Sequence, residues 1–448
     1  MRGLRLLALF AILVLVFVTA LSAVFALPGD SVLANVRESI PRLEDEGAYP
    51  RPFIDHAAFQ LDNVTDCLML DTALGEQSAN PFVASMAMYR GVLAPGVTSG
   101  DPVQLLKDSS TGTRSYPEAY ARYWHGYQVV LRPAMALFTY QEVRYLNMLL
   151  LGLLSAGLIA LVWARVNPGT AVALIAALLF GGFAVVPMSL QFSGVTYIAL
   201  LGSLAIVLLP DMAITRRGDL ELFLTLGALT AFVDLLTAPL LTLGIPLGVA
   251  LAVRAARLPQ AGVRDDTLFS ARTVAAWSVG YVGAWASKWV IGSVVLGREV
   301  FDGAAGQAML WSGATTQDSG VLEALKVNFM NMVPLVSFDP AVSGLARYVL
   351  VGPFGWMVLA ALTATTLLLV CFRSSRRQMA RASVTLLLVP IPYAWLALLS
   401  THSKLHFAFT YRAQAIAVFA IVYFVAASID WARVRACVGS ASSAYHSR

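Results

Sequence analysis

Charge is what this chain has least of. Only 13% of its 448 residues are Asp, Glu, Lys or Arg, about half the share usual in soluble domains. With 58% of the chain apolar, a water-facing surface of ordinary composition cannot be built. Cysteine is scarce too: Cys67 sits in a long loop, Cys371 ends an apolar run and Cys437 lies in the tail. No two of them share a compartment on the outer side, which excludes a disulfide framework. The chain has no Gly-rich phosphate loop and no nucleotide motif, and no repeat of fixed period. The net charge of +5 makes no case for nucleic acid, because the arginines stand at the ends of apolar runs, where membrane topology accounts for them.

What is there is a series of long apolar runs. Ten segments (4–27, 145–166, 171–187, 193–209, 220–236, 240–253, 273–296, 348–372, 383–400 and 412–429) read as membrane spans, since about 20 apolar residues cross a hydrocarbon core of about 30 Å. The expected fold is an all-α integral membrane protein. It divides into a first span (1–27), a polar extracytoplasmic region with interfacial helices (28–142), a nine-helix bundle (143–430) with an outer loop at 297–347, and a tail (431–448). Ala20-Leu21-Ser22-Ala23 offers the small residues of a signal cleavage site. The apolar run exceeds the about 7–15 residues of a signal core, which favours a retained anchor.

The arginines orient the bundle. Arg165, Arg216-Arg217, Arg254, Arg257, Arg264, Arg272, Arg373, Arg376, Arg377 and Arg381 fall in alternate loops, and Arg433 and Arg435 in the tail. Basic loops face the cytoplasm, so a multi-pass protein of the cell membrane with both termini cytoplasmic is expected. Function then belongs to the outer side, chiefly to 28–142.

Within that region Leu61-Asp62-Asn63-Val64-Thr65-Asp66-Cys67-Leu68-Met69-Leu70-Asp71 sets carboxylates in an apolar frame. Asp62 and Asp66, four apart, share a helix face. Such a pair can supply a general base, hold a divalent cation or simply solvate a loop. The frame Cys67–Leu70 lays Asp66 towards the membrane and raises its proton affinity by desolvation, whereas Asp30, between Gly29 and Ser31, reads as solvated. Two charges fall inside spans: Lys288 in Trp285-Ala286-Ser287-Lys288-Trp289, and Asp234 in Phe232-Val233-Asp234-Leu235-Leu236-Thr237-Ala238-Pro239. An intramembrane charge has a partner or a task. Either the two form a buried ion pair, or Lys288 binds a lipid phosphate.

The last outer loop reads Thr401-His402-Ser403-Lys404-Leu405-His406-Phe407-Ala408-Phe409-Thr410-Tyr411-Arg412. His402 and His406 share a helix face at a spacing that suits zinc, but no Glu follows His402 and no third ligand is evident. With Lys404 and Arg412 they suit a phosphate held by charge-assisted hydrogen bonds; the alternative is interfacial anchoring by Lys404, Tyr411 and Arg412. Tyr123-Trp124-His125-Gly126-Tyr127 is an aromatic belt or, with Trp124 and His125 in contact with substrate, a sugar-stacking platform.

Ten spans, a large acidic first outer loop and outer cations resemble the GT-C class of membrane glycosyltransferases. The four stretches around Trp124, Asp234, Lys288 and His402–Arg412 also resemble a largely uncharacterised family of bacterial multi-pass membrane proteins, a likeness that covers most of the chain and implies no activity. The GT-C likeness implies transfer of a sugar from a polyprenyl-phosphate donor to a cell-envelope glycan or lipid. Asp66 or Asp62 would be the base, and Lys288, His402, His406 and Arg412 would hold the phosphate. In that class the catalytic acid closely follows span one, where this chain has Asp30. The implied partners are a polyprenyl-phosphate-linked sugar and membrane lipid, with no nucleic acid and no cofactor beyond a divalent cation on the paired acids. The alternatives are a transporter or flippase of a lipid-linked saccharide, which needs the cations but no base, and a non-catalytic envelope assembly protein.

Overall fold

In hydrocarbon every backbone N–H and C=O must be satisfied internally, so long apolar runs become helices. The computed structural model describes residues 2–53, 55, 57–75, 80–93, 101–112, 115–215, 218–314, 320–331 and 353–437. Arg216, Arg217, 332–347 of the expected outer loop, the first residues of the expected eighth span and the tail from 438 lie outside the described residues.

The chain opens with α1 (Arg2–Phe25). The polar region then forms α2 (Asp30–Glu46), α3 (Asn63–Leu74), α4 (Pro81–Ala87), α5 (Pro102–Thr111) and α6 (Gln128–Met135). A two-stranded ribbon joins them: β1 (Tyr89–Leu93) pairs antiparallel with β2 (Ser115–Ala119), Tyr89 opposite Ala119 and Leu93 opposite Ser115. This ribbon is an addition to the all-α expectation. The bundle follows as α7 (Tyr140–Arg165), α8 (Pro168–Phe180), α9 (Leu190–Leu208), α10 (Pro210–Ala213), α11 (Asp219–Val233), α12 (Leu241–Arg257) and α13 (Val263–Leu296). Then come α14 (Glu299–Trp311), α15 (Val321–Asn331), α16 (Pro353–Cys371), α17 (Arg376–Ala382), α18 (Pro390–Leu398), α19 (Ser400–Leu405), α20 (Phe407–Thr410) and α21 (Ala415–Ala427).

Among the described residues, six helical stretches are long and apolar enough to cross a membrane: Arg2–Phe25, Tyr140–Arg165, Leu190–Leu208, Val263–Leu296, Arg376–Leu398 and Phe407–Ala427. The expected third, fifth and sixth spans are helices of 13, 15 and 17 residues. At about 1.5 Å per residue each is shorter than the hydrocarbon core.

Local signals set the ends. Thr139 and Glu142 form a reciprocal capping box at the start of α7. Asn167 caps α8 ahead of Pro168. Helix α11 stops where Asp234 turns extended, φ −85° and ψ 144°. Helices α11 and α13 approach closely through glycine: a Cβ on Gly227 would lie 2.0 Å from the Trp277 carbonyl oxygen, and one on Gly280 2.1 Å from that of Leu224.

The polar region is fastened to one end of the bundle. Arg132, 4% exposed, donates to the carbonyls of Val24 (3.0 Å), Leu27 (3.2 Å) and Ala73, so one guanidinium closes the C-terminal ends of α1 and α3. The Phe17 and Phe232 rings stack at 4.0 Å with Trp124 edge-on to both. The opposite end is tied by ion pairs to buried aspartates: Asp266 accepts from the buried Arg254 and Arg381, each at 2.9 Å, and Asp219 from the part-exposed Arg2 at 2.6 Å and Arg272 at 2.5 Å.

Candidate functional site

The two carboxylates that the sequence pairs on one helix face have different surroundings. Asp66 is completely buried. Its carboxylate accepts from the backbone N–H of Leu190 and of Gln191 (3.1 Å each), the Ser189 hydroxyl (3.3 Å) and the Tyr140 hydroxyl (2.7 Å). It therefore sits at the N-terminus of α9, where free amides and the helix dipole favour an anion. Arg144, 2% exposed, extends the network: it donates to the Tyr140 hydroxyl, to both oxygens of Glu46 (2.8 and 3.0 Å) and to Asn63 (3.3 Å). Burial raises the Asp66 pKa against the lowering pull of Arg144 and Tyr140. At Glu46 burial is outweighed by Arg144, Asn63 and Arg42, and the pKa falls.

Asp62 is the N-cap of α3 and accepts from the Thr65 N–H (3.1 Å) and hydroxyl (2.8 Å). Each carboxylate oxygen thus has one donor among the described residues and a lone pair to spare. Burial pushes its pKa up to about 6, against the Thr65 hydrogen bonds and the nearby Arg412. Arg412, 2% exposed, donates to the Ala58 carbonyl at 3.4 Å across 354 residues of chain and to Ala408 at 2.8 Å. Its guanidinium lies 4.1 Å over the Phe192 ring, and its buried Nε has no hydrogen-bond partner among the described residues. Tyr411 also donates to Ala58, at 3.2 Å. Gly182, at φ +76°, lets α8 end beside this group, since a Cβ there would meet the Tyr411 hydroxyl at 2.9 Å. A narrow cavity of about 40 Å³, lined by Phe183, Phe192, Thr237 and Ala238, opens at Arg412. The four donors to Asp66, two amides and two hydroxyls, fill both of its carboxylate oxygens, whereas Asp62 is held by Thr65 alone among the described residues.

From Arg412 an aromatic path leads away: Phe192 to Phe409 (6.0 Å), Phe409 to His406 (5.1 Å), His406 to His402 (4.8 Å) and both histidines to Trp311 (5.6 and 5.1 Å). Burial, aided by His406, pushes His402 down to about 3, and burial lowers His406. Both are neutral at pH 7 and can meet a phosphate only as N–H donors, leaving its charge to Arg412. Among the described residues the buried Nδ1 of His402 has no partner, and no group of three metal-ligating side chains forms around this pair or the aspartates. Lys404 is exposed. Trp311 opens onto a groove of about 480 Å³ walled by Tyr123, Trp277, Tyr281, Trp285 and Trp395.

Lys288, Asp234, Trp124 and His125 lie elsewhere. Lys288 is fully buried, donates to the Met86 carbonyl at 2.8 Å and stands 5.5 Å over the Trp124 ring. The expected Lys288–Asp234 ion pair is absent among the described residues. Asp234, at the end of α11, accepts instead from the Thr237 N–H at 2.9 Å. The Trp124 indole donates to the Ala284 carbonyl at 2.6 Å. Both His125 nitrogens are engaged, with Tyr127 Oη (2.8 Å) and the Tyr120 carbonyl (3.0 Å), and burial beside Lys288 pushes its pKa down to about 3. Trp124 and His125, 1% exposed each, join the polar region to the bundle and offer no open stacking face. Asp30 is exposed at the start of α2. Asp71 accepts from the Gly91 N–H at 2.7 Å, and burial raises it to about 6. Tyr140, Arg144, Glu46 and Trp311 were missed by the sequence reading; the one signal that could have found them was Arg144, a basic residue directly before the apolar run 145–166 at its expected outer end.

Compared with known protein families, curated proteins and solved structures, the chain matches none.

Proposed function

We propose that the chain is an outward-facing GT-C-type glycosyltransferase of ten spans, moving a sugar from a polyprenyl-phosphate donor to a cell-envelope acceptor. The observation that carries this reading is a buried carboxylate, Asp62, within electrostatic reach of a buried guanidinium, Arg412, from which an aromatic path leads to a groove with apolar walls. The acceptor hydroxyl loses its proton to Asp62 as its oxygen attacks C1 of the sugar. The C1–O bond to phosphate breaks, and polyprenyl phosphate leaves with its charge held by Arg412. The neutral His402 and His406 donate N–H groups to the same phosphate, and the isoprenoid lies along Trp311, Trp285 and Trp395. Asp66 is a positioning residue that fixes α3 against α9.

Two expectations test this reading. Ten spans count the six long stretches together with α8, α11, α12 and α16. A reporter fused after Gly218 or Gln378 then scores cytoplasmic and one inserted near Ser99 external; a cytoplasmic Ser99 overturns the outward-facing site.

The second is a pH dependence. With Asp62 as base at about 6, transfer falls as pH drops through about 6. Because the folded state holds this proton more tightly than the unfolded chain (about 3.9), its contribution to stability is full below about 4 and lost as pH rises through about 6. Asp62→Asn keeps the helix cap and removes that share of the slope. A pH–rate profile flat from pH 5 to 8 would exclude Asp62 as base.

A further inference from the structure

At the end of the bundle opposite Asp62, a cleft of about 880 Å³ lies between α7–α8, α12, α17 and α21. Its walls divide by chemistry. Val166, Val172, Ala426 and Ala427 form an apolar side, and Arg377, Arg381 and Arg435 with Gln378, Ser375 and Asn167 form a polar one. No carboxylate among the described residues lines it. Arg381 and Arg254 share the single carboxylate of Asp266, so two cations on one anion leave one positive charge uncompensated. Arg377 gives one nitrogen to the Pro259 and Gln260 carbonyls (3.0 and 3.2 Å), and its side chain, like that of Arg435, is exposed. Trp163 and Trp431, 54% and 43% exposed, flank the opening, as amphipathic rings do at headgroup level.

We infer that this cleft is a binding site for one anionic phospholipid, its phosphate between Arg377 and Arg435 and an acyl chain along Val166, Val172 and Ala426. An apolar wall beside arginines that outnumber their one carboxylate, Asp266, fits a molecule that is a hydrocarbon at one end and an anion at the other. A free phosphate would leave the apolar wall unused, and a zwitterionic lipid would bring its own cation towards the arginines. Three sources of charge meet there: Arg377, Arg435 and the surplus from the Arg254–Asp266–Arg381 group. The inference does not depend on the transferase reading, because it concerns the other end of the molecule.

The test uses the full chain in nanodiscs of phosphatidylcholine with and without phosphatidylglycerol, with retained lipid read by native mass spectrometry. Wild type is expected to keep one phosphatidylglycerol in preference to phosphatidylcholine. Arg377→Gln and Arg435→Gln each weaken that preference about fivefold, and together about thirtyfold, from the usual contribution of a basic residue at an anionic surface. Both side chains are exposed, and an unchanged melting temperature in pure phosphatidylcholine verifies the fold. Val172→Trp, which fills the apolar wall without touching charge, also lowers retention. Equal retention of the two lipids by wild type, undiminished retention by the double glutamine variant, or displacement by inorganic phosphate alone would overturn the inference.

Discussion

Asp62→Asn is expected to lower sugar transfer by about 10²–10⁴-fold, the usual contribution of a positioned general base, while leaving donor binding intact. Asparagine is isosteric and caps helices as well as aspartate: its Oδ1 keeps the hydrogen bond from the Thr65 N–H, while its NH2 replaces the oxygen that accepts from the Thr65 hydroxyl and donates to that hydroxyl instead, so α3 stays in place. Arg412 remains buried over Phe192 to hold the phosphate. Asp66→Asn acts differently. It removes an anion from the α9 amides and Tyr140, so its loss of activity accompanies a loss of thermal stability. Asp30→Asn, at an exposed position, changes neither. Activity lost in Asp30→Asn and kept in Asp62→Asn would move the site to the end of the first span.

The second large effect lies in the bundle. Gly227→Val is expected to cost at least about 3 kcal/mol, the upper range for overpacking against adjustable neighbours. Here the neighbour is backbone: the added Cβ would sit 2.0 Å from the Trp277 carbonyl oxygen, and no rotamer change relieves that. Helices α11 and α13 must separate, losing the close approach that small residues allow between membrane helices. Separation also shifts Tyr281 and Trp285, which wall the groove. Gly157→Ala is the control, since nothing among the described residues lies within 4 Å of the added atom and alanine favours helix. Folded yield and melting temperature in detergent measure both; a Gly227 variant as stable as the Gly157 variant would contradict the packing.

Membrane class and most helix positions were legible because apolar length is a local property. Whether a run of 13 to 17 residues counts as a span is not, and α8, α11 and α12 show the difficulty. The ribbon of Tyr89–Leu93 and Ser115–Ala119 carries no strong alternation, and its pairing spans a helix. The acidic stretch was found, but the division of labour within it was hidden. Asp66 meets partners up to 125 residues away, and its amide donors belong to a helix start that no local pattern ties to α3. Lys288 and Asp234 looked like a pair because both are rare intramembrane charges. They stand on different helices, Asp234 at the end of α11 and Lys288 on α13, and each meets a backbone partner instead, the Thr237 N–H and the Met86 carbonyl. The cationic character read into His402 and His406 failed to foresee their burial against Trp311 and Phe409.

The most direct test is incubation of the purified full chain with a polyprenyl-phosphate sugar and a hydroxyl acceptor, following release of polyprenyl phosphate. Wild type is expected to release it with transfer of the sugar, and Asp62→Asn to bind the donor without releasing it. Binding of such donors by wild type with no release, together with their movement across vesicle membranes, would contradict a transferase and make the chain a carrier of lipid-linked saccharide.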